Sequence, residues 1–452
     1  MRRNDEMALG VMVLQAGLHE SAWRDPSVPV NGGVDIDHSA HLASLAEAAA
    51  FHFIFRPDSP SILDQDNATI ARVSRNDGFE PITLLSALSS RTKNIGLVAT
   101  ATTTYHQPYH LARMFASLDH MSRGRAAWNI VTSGYKFEAA NFGESELPDH
   151  DARYARAKEF VETVKGLWDT WEDDAFLRDK DSGIYADTTK LHLLNHQGAY
   201  LSVRGPLNIA RPPQGYPVLV QAGASEAGID FAAEFGEVVF TAVSSLEDGK
   251  RYYATLKGKA RALGREDDQV LVMPGIVPIV GRTKEEASAK LEGLHSRAHI
   301  DVLTGVANRW LGLVVDLRSM DLDSFVPDAL PQTNLFQSRQ KSLVDLAVRQ
   351  KWTWRHLIRF IADSQGHFMV AGTPDEVADS MVDMFDQRAA DGFNILPAIV
   401  PSGLKDFVEL VVPELRRRGR FRSKYSGQTL RENLGLKRPL NRFSQRAVSS
   451  CI

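Results

Sequence analysis

His150 and Tyr154 are the pair of residues whose types and spacing most directly suggest ligand binding. They stand four apart in the sequence, so a helix would present an imidazole and a phenol on the same side of its first turn. Asp149 is the predicted N-cap of that helix. Two hydrogen-bond donors beside the positive end of a helix dipole suit a phosphate. Spacing alone favours a plainer interpretation, a packed tyrosine and a solvated histidine, because aromatic residues at helical spacing usually form core.

The helix that carries this pair follows a short apolar strand, and the same alternation runs through the chain. Helical patterns separate eight predicted strands, which are Met7–Leu14, Phe51–Phe55, Ile95–Thr100, Ala126–Thr132, Val218–Ala222, Val238–Val243, Val270–Val280 and Phe393–Leu396. This alternation predicts an α/β fold, a (β/α)8 TIM barrel rather than an open sheet. In such a barrel the chemistry takes place at the carboxyl ends of the strands.

Polar residues at those strand ends are therefore the candidate site. Asp58 follows the second strand, Thr100 ends the third and Asn129 lies in the fourth. Ser225 follows a glycine turn and opens a helix, so its hydroxyl and the nearby amide groups suit a phosphate. Thr100 is short enough to let a flat ring approach the barrel mouth. Asp58 equally fits an ordinary loop carboxylate, and threonine is common in strands.

Histidine pairs at i, i+4 spacing raise the question of a metal site. The pairs are His106/His110, His192/His196 and His295/His299. None belongs to an HExxH motif or has an obvious third ligand, so we predict no metal site. His106 and His110 lie just past the third strand, which makes them candidate pocket residues together with Asn129.

The composition limits the possible partners and compartments. The chain has 452 residues, a formal net charge of −4 and one cysteine, Cys451. This charge gives no reason to expect nucleic acid or an anionic membrane as a partner. A single cysteine allows no intrachain disulfide, and the acidic residues of the first segment do not fit a signal peptide. We therefore expect a cytoplasmic protein without a membrane span.

We predict one barrel domain over residues 1–452, interrupted by two long insertions. Residues 173–213 are too long and irregular for a barrel connection, and residues 284–369 have a mostly helical pattern. Residues 419–452 are predicted to form a C-terminal tail. The basic stretch Arg416–Lys424 is interpreted as a helix end and solvated tail rather than a binding patch.

Four stretches of the sequence closely resemble one enzyme family. They are WNIVTS (Trp128–Ser133) with the segment from Ala140 to Glu172 that contains LPDHDARYARAKEF, and the segments Phe79–Asn129, Gly205–Gly228 and Asp391–Leu436. The chain is similar to the nitrilotriacetate monooxygenase component A family of bacterial-luciferase-like, flavin-dependent monooxygenases. Relatives in that family act on EDTA, dibenzothiophene sulfone and long-chain alkanes. The resemblance covers most of the chain and implies a luciferase-like barrel with insertions.

The resemblance also implies a cofactor and its contacts, which for FMN fall on Asp58, Thr100, His150, Tyr154 and Ser225. Reduced FMN from a separate NAD(P)H:flavin reductase would react with O2 to give a C4a-(hydro)peroxyflavin that oxygenates a small organic substrate. That substrate would be an amine or aminopolycarboxylate, a sulfone or an alkane, and the enzyme a homodimer or homotetramer. The sequence contains no GxGxxG after a strand and no P-loop, so a built-in nicotinamide or ATP domain is not expected.

Two alternatives stay open, together with the origin of substrate selectivity. The alternatives are a flavin- or deazaflavin-dependent oxidoreductase without O2 activation, and a non-catalytic flavin-binding protein.

We assign selectivity to the segment Leu291–Met369, whose large residues are Trp310, Trp352, Trp354 and His356. The alternative is that these tryptophans form the core of a helical subdomain or a dimer contact. Arg56–Pro57 stands where smaller residues are expected before Asp58, which predicts a difference on the substrate side.

Overall fold

Eight parallel strands close into a barrel in the computed structural model, which describes residues 5–63, 66–223, 225–313, 316–331 and 337–444. The barrel strands are β1 Ala8–Met12, β2 Phe53–Arg56, β3 Gly96–Thr102, β4 Ala126–Val131, β5 Val218–Gln221, β6 Val238–Thr241, β7 Leu271–Val280 and β8 Gly392–Ile395. Parallel pairing runs from β1 to β8 and returns from β8 to β1. The predicted (β/α)8 TIM-barrel class is confirmed. Cys451 lies outside the described residues.

The strands are apolar on both faces because the barrel buries both. In β3, Leu97, Ala99 and Ala101 pack against the surrounding helices, whereas Val98 packs inside the barrel. Side chains alternate along a strand, so Thr100 shares the inward face of Val98. The sequence period thus places Thr100 inside the barrel near its carboxyl end.

Helices surround the barrel and extend beyond it. The principal helices are α1 Ile36–Ala48, α2 Pro81–Ser89, α3 Pro108–Met121, α4 His150–Trp168, α5 Glu226–Phe235, α6 Leu246–Ala262, α7 Lys284–Arg297, α8 Ile300–Leu311, α9 Gln337–Arg349, α10 Trp354–Ser364 and α11 Pro374–Asp386. Shorter helices are Asn67–Ile70, Lys136–Asn141, Ser402–Asp406, Val412–Arg417 and Leu430–Asn433. Within the described residues, none of the helices is both long and apolar enough to cross a membrane.

The helical segment after β7 has a core of its own. Helices α8, α9 and α10 bury Val306, Leu343, Trp354 and Leu357 together, and Trp310 and Trp352 pack against them. Val73, from the loop after β2, joins the same core. A further strand, Phe368–Gly372, follows α10 and pairs in parallel with β7. The tryptophans are therefore packing residues of this segment, as the alternative interpretation proposed.

The C-terminal tail corrects the expectation of a solvated end. Leu430, Leu434 and Leu436 belong to the buried cluster inside the barrel, and Leu430 lies against Gly96 at the amino end of β3. Arg422 is buried, and its Nε donates to the carbonyl oxygen of Ala50 at 2.8 Å. The tail therefore closes the end of the barrel opposite the candidate site, because its leucines offer the apolar surface that the open end requires.

Residues 173–213 form an irregular excursion with one short hairpin, His196–Gln197 paired with Ser202–Val203. Helix α4 ends at Trp168, so Trp171 lies beyond the helix. The helical spacing of Tyr154, Val161, Trp168 and Trp171 predicts a buried face that extends to Trp171, which is wrong. Its Nε1 instead donates to the carbonyl oxygen of Leu207 at 2.8 Å, and this bond holds the end of the excursion next to its start.

Candidate active site

The first turns of α4 and α5 meet at a glycine. A Cβ on Gly228 would lie 3.0 Å from the Tyr154 hydroxyl and 3.1 Å from the Ser225 hydroxyl. It would also lie 3.0 Å from the Cα of Gly223, in the turn after β5. The absence of a side chain at Gly228 therefore lets two hydroxyls and a glycine turn converge. We call these residues, with His150, the phosphate corner.

Hydrogen bonding in the phosphate corner leaves donors available to a ligand. Ser225 is the N-cap of α5, and its Oγ accepts a hydrogen bond from Gly228 N at 3.1 Å. Since the oxygen is used as an acceptor, the hydroxyl proton is available to a ligand. The Tyr252 hydroxyl donates to the carbonyl oxygen of Gly223 at 2.6 Å and holds the turn in place. Burial raises the pKa of Tyr252, so this phenol stays protonated.

His150 and Tyr154 lie side by side, as their spacing predicted. Their ring centroids are 4.9 Å apart, and Tyr154 also packs edge-on against Phe231. His150 Nδ1 lies 3.1 Å from Asp151 Oδ1, which orients the ring and leaves Nε2 for a ligand. Asp149 is the N-cap residue of α4, but its side chain makes no capping hydrogen bond. The amide groups at this helix end are therefore open to an anion.

A second group of polar residues lies inside the barrel mouth. Thr100 Oγ1 donates to the carbonyl oxygen of Arg56 at 2.9 Å and accepts from Asn129 Nδ2 at 2.9 Å. Asn129 Oδ1, Gln221 Oε1 and Asn394 Oδ1 are buried, and among the described residues they have no hydrogen-bond partner. Each such orphan costs about 1–3 kcal/mol. Unsatisfied acceptors on three strands fit a ligand with polar edges, such as the ring system of a flavin.

Asp58 lies at the edge of this mouth, in the loop after β2. Burial by the loop raises its pKa to about 6, the negative charge of Glu80 adds to the effect, and Arg56 opposes it. More than a third of the Asp58 surface is nevertheless exposed. The Arg56 guanidinium turns back under Gly78 and donates to the carbonyl oxygen of Val13 at 3.1 Å.

His106 and His110 lie away from the phosphate corner. Together with Ile82 and Met114 they line an open groove of about 560 Å³ between α2 and α3. His106 Nδ1 is 3.0 Å from the carbonyl oxygen of Thr102, and burial lowers its pKa. His110 is exposed. The structure therefore brings Tyr154, Ser225 and His150 together in one place and Thr100 with Asn129 in another, but it puts these two histidines on a separate surface.

The other histidines of the i, i+4 pairs bind carboxylates. His192 lies 2.8 Å from Glu172, His196 2.9 Å from Glu159 and His295 2.8 Å from Asp363. In the part of the chain that the structure describes, no three His, Cys, Asp or Glu side chains are grouped as a metal site would require.

Sequence analysis missed several residues of the site. Gly228, Tyr252, Gln221 and Asn394 were not singled out, although Gln221 ends β5 and Asn394 lies in β8. Inward-facing polar residues in otherwise apolar strands are the signal that would have identified Asn394. The position of Gly228 depends on two helices that are distant in sequence, so no local pattern indicates it.

Comparisons with known proteins agree with this geometry. A family model described as luciferase-like monooxygenase matches residues 14–391. The chain is 44% identical over 444 residues to the N-acetyl-S-(2-succino)cysteine monooxygenase of Bacillus subtilis (strain 168), covering 98% of this chain and 99% of that protein. It is 44% identical over 448 residues to nitrilotriacetate monooxygenase component A of Aminobacter aminovorans, with 98% and 99% covered. The crystal structure of a riboflavin lyase with modified FMN and the substrate riboflavin has a TM-score of 0.86 at 32% identity, covering 96% of this chain and 97% of that one.

Proposed function

Because the chain belongs to the luciferase-like monooxygenase family, we propose that it is the oxygenating component of a two-component system that uses reduced FMN and O2. Reduced FMN would supply two electrons and two protons, so that one oxygen atom enters the substrate and the other leaves as water. The family relationship makes the chain a monooxygenase. The cofactor form and the source of its electrons are our proposal.

The phosphate corner is the observation that carries this proposal. Tyr154, Ser225 and the first turn of α5 offer neutral donors around a space that Gly228 keeps open. Neutral donors and a helix amino end are the usual partners of a phosphate monoester. In the proposed complex, this corner holds the FMN phosphate and His150 covers it from the solvent side.

The barrel mouth would then hold the flavin ring. Asn129, Gln221 and Asn394 supply the unsatisfied polar atoms that face the ring edge, and Thr100 leaves space beside them. Phe55 and Phe240, whose rings are 5.9 Å apart, add an apolar surface. Such a site excludes water from the reacting centre, which prevents side reactions of the reduced cofactor. We propose that Asp58 lies at the outer edge of this ring site.

A separate NAD(P)H:flavin reductase is the partner that this proposal requires. The sequence has no dinucleotide fingerprint to bind NAD(P)H itself, and one relative at 44% identity is named as component A. A homodimer or homotetramer, and a cytoplasmic location, stay predictions.

The substrate is proposed to be a small organic molecule with a nitrogen or sulfur centre. N-acetyl-S-(2-succino)cysteine and nitrilotriacetate, the compounds in the names of two relatives, each have three carboxylates around one such atom. A sulfone or an alkane, by contrast, carries no negative charge.

The experiment is oxygen consumption by the purified chain with FMN, NADH and a generic flavin reductase, over a panel of candidate substrates. We expect O2 uptake coupled to formation of an oxygenated product. Without the reductase, the chain should not oxidise NADH. Substrate oxidation without O2 uptake would instead support hydride transfer to a flavin or deazaflavin, and flavin binding without any turnover would support a non-catalytic protein.

A further inference from the structure

Cationic side chains from three separate segments come together above the barrel mouth. Arg75 lies in the loop after β2, Arg309 near the end of α8, and Arg339 in the first turn of α9. The guanidiniums of Arg309 and Arg339 lie 6.0 Å and 4.1 Å from the centroid of the same Trp310 ring, and Arg75 and Arg309 share one carboxylate partner. All three positive charges also oppose the rise that burial causes in the pKa of the Tyr135 phenol. Tyr135 follows β4, so the three guanidiniums lie around the carboxyl end of the barrel. We call them the arginine cluster.

Glu20, in the loop after β1, holds two members of the arginine cluster in place. Arg75 Nε donates to Glu20 Oε2 at 3.1 Å, and Arg309 Nη2 lies 3.7 Å from Glu20 Oε1. Only a few per cent of Glu20 is exposed. This ion pair links the loop after β1, the loop after β2 and the inserted helices, so the positions of Arg75 and Arg309 are fixed before any ligand binds.

Arg339 has a different environment. Its guanidinium lies 4.1 Å from the centroid of the Trp310 ring, a cation–π contact. No carboxylate of the described residues forms an ion pair with it. Burial lowers the pKa of Arg339 to about 10, so it stays protonated at neutral pH. A partly buried guanidinium without a carboxylate favours an anionic partner.

His367 connects the arginine cluster to the flavin site. Its ring lies over Gly275 of β7, where a Cβ would approach Nδ1 to 2.5 Å, and its centroid is 5.4 Å from that of Phe240. The side chain is 4% exposed, and within the part of the chain that the structure describes Nδ1 has no hydrogen-bond partner. Burial and the nearby charge of Arg339 lower its pKa, so the imidazole is neutral. A neutral, unsatisfied imidazole beside an arginine suits a carboxylate or a polar group next to one.

Other acidic groups near the cluster are already bonded. Glu138, which also acts on Tyr135, accepts from the Ser59 hydroxyl at 2.5 Å and from Gly134 N at 3.1 Å. Asp363 is held by His295 at 2.8 Å. These carboxylates therefore already accept hydrogen bonds from other groups, and neither forms an ion pair with Arg339 in the described residues.

We propose that the arginine cluster and His367 bind the carboxylates of the substrate, which is a small organic anion with two or more carboxylates. The guanidinium fork matches a carboxylate in a bidentate manner, and three guanidiniums around one point favour several negative charges over one. Arg339 and His367 contact the carboxylates directly. Arg75 and Arg309 contribute positive electrostatic potential and part of the wall of the binding site. The inference rests on the proposed function, since the anion would extend from this cluster to the flavin ring.

The test compares a charged ligand with its neutral counterpart. N-acetyl-S-(2-succino)cysteine serves as the tricarboxylate and its trimethyl ester as the neutral twin, each titrated calorimetrically into the FMN-loaded protein. Hydrogen bonds to charged groups contribute about 1.5–3 kcal/mol. Arg339→Gln should therefore weaken binding of the tricarboxylate by about tenfold to hundredfold and change binding of the ester by less than about twofold.

Two further variants control for charge and geometry. Arg349→Gln removes an exposed charge at the other end of α9, and it should leave both affinities unchanged. Arg339→Lys keeps the charge without the planar fork, so its affinity for the tricarboxylate should lie between those of the wild type and Arg339→Gln. Unchanged FMN affinity and melting temperature would show that the variants are folded.

The outcomes separate this inference from the proposed function. Equal losses for the tricarboxylate and the ester in Arg339→Gln, or no loss for either, would overturn the carboxylate site. No binding of the tricarboxylate or of nitrilotriacetate to the wild type would also overturn it. Arginine-dependent binding without O2 uptake would contradict the oxygenase proposal and leave the site intact. Oxygenation of a neutral substrate at a rate that Arg339→Gln leaves unchanged would support the oxygenase proposal and contradict the carboxylate site.

Discussion

Tyr154 and Ser225 recognise the proposed phosphate through shared geometry rather than through their own charge. Neither hydroxyl would be notable alone, since one packs beside Phe231 and the other caps a helix. Gly228 makes them a site, because any side chain there would approach both oxygens to about 3 Å. Gly228, which has no side chain, thus determines the geometry of the site.

Removing these hydroxyls should weaken FMN binding selectively. Tyr154→Phe and Ser225→Ala each delete one hydrogen bond to a charged phosphate, worth about 1.5–3 kcal/mol, so each should raise the Kd for FMN about tenfold or more. Riboflavin has no phosphate and should be much less affected. Fluorescence titration of both flavins measures the difference, with Tyr185→Phe at an exposed position as a matched control. Equal losses for both flavins would show that the hydroxyls do not contact the phosphate.

Asp58 should make the stability of the protein depend on pH. Its pKa in the folded chain is about 6, above the ordinary value of 3.8. A raised carboxyl pKa contributes stability that is fully present below the unfolded value and is lost as the pH rises through about 6. Asp58→Asn mimics the protonated form, so the variant should gain melting temperature relative to the wild type between about pH 5 and about pH 8. A difference that stays constant over this range would contradict the raised pKa.

The inserted helices and the loop after β2 behave as one unit above the barrel. Val73 packs into the core of α8–α10, and Asp66 forms an ion pair with Arg318 at 3.1 Å. On the other side, His19 and His295 both face Asp363, so the loop after β1 is joined to α7 and α10. Three loops at the mouth are thereby fixed to one another, which positions Arg75 and Arg309 together.

Loss of the His295–Asp363 contact should loosen this unit in a pH-dependent manner. The hydrogen bond to Asp363 raises the pKa of His295, so its stabilisation is fully present below the unfolded pKa of about 6.5 and is lost as the pH rises through the folded pKa. His295→Gln should cost about 1.5–3 kcal/mol near pH 5.5 and less near pH 8.5. Urea unfolding at both pH values measures this, with His41→Gln on the surface of α1 as control. An equal cost at both values would exclude a charged pair.

The sequence predicted the barrel well and the mouth only in part. Each strand is a short, continuous apolar run, such as Val218–Gln221, because both of its faces are buried. Thr100 and Asn129 could be placed inside the barrel because side chains alternate between the two faces of a strand. The arginine cluster could not, because Arg75 and Arg339 lie far apart in the sequence and meet only through tertiary packing. The arginines of Arg416–Lys424 suggest a solvated tail, whereas the i, i+4 spacing of Leu430 and Leu434 is the signal that indicates their burial.

Exchange of the mouth segments should transfer substrate preference without changing flavin binding. The phosphate corner and the strand ends belong to the barrel, whereas Arg309, Arg339 and Trp310 belong to the segment Leu291–Met369. Selectivity among substrates of different charge should therefore follow that segment. The corresponding segment is taken from a relative that oxidises an uncharged substrate, once alone and once with residues 66–78. The ratio of kcat/KM for the tricarboxylate and the uncharged substrate is then measured, with FMN affinity as the folding control.

The double exchange is expected to be the more informative chimera, because Val73 and Asp66 pack against the inserted helices and a single exchange breaks those contacts. We expect preference to move toward the uncharged substrate by at least about tenfold, the effect of losing one guanidinium–carboxylate contact. The single exchange should move it in the same direction with a lower melting temperature. Unchanged preference in a double chimera that binds FMN normally would place selectivity in the barrel mouth itself, with Arg56 and the groove at His106 as the next positions to vary.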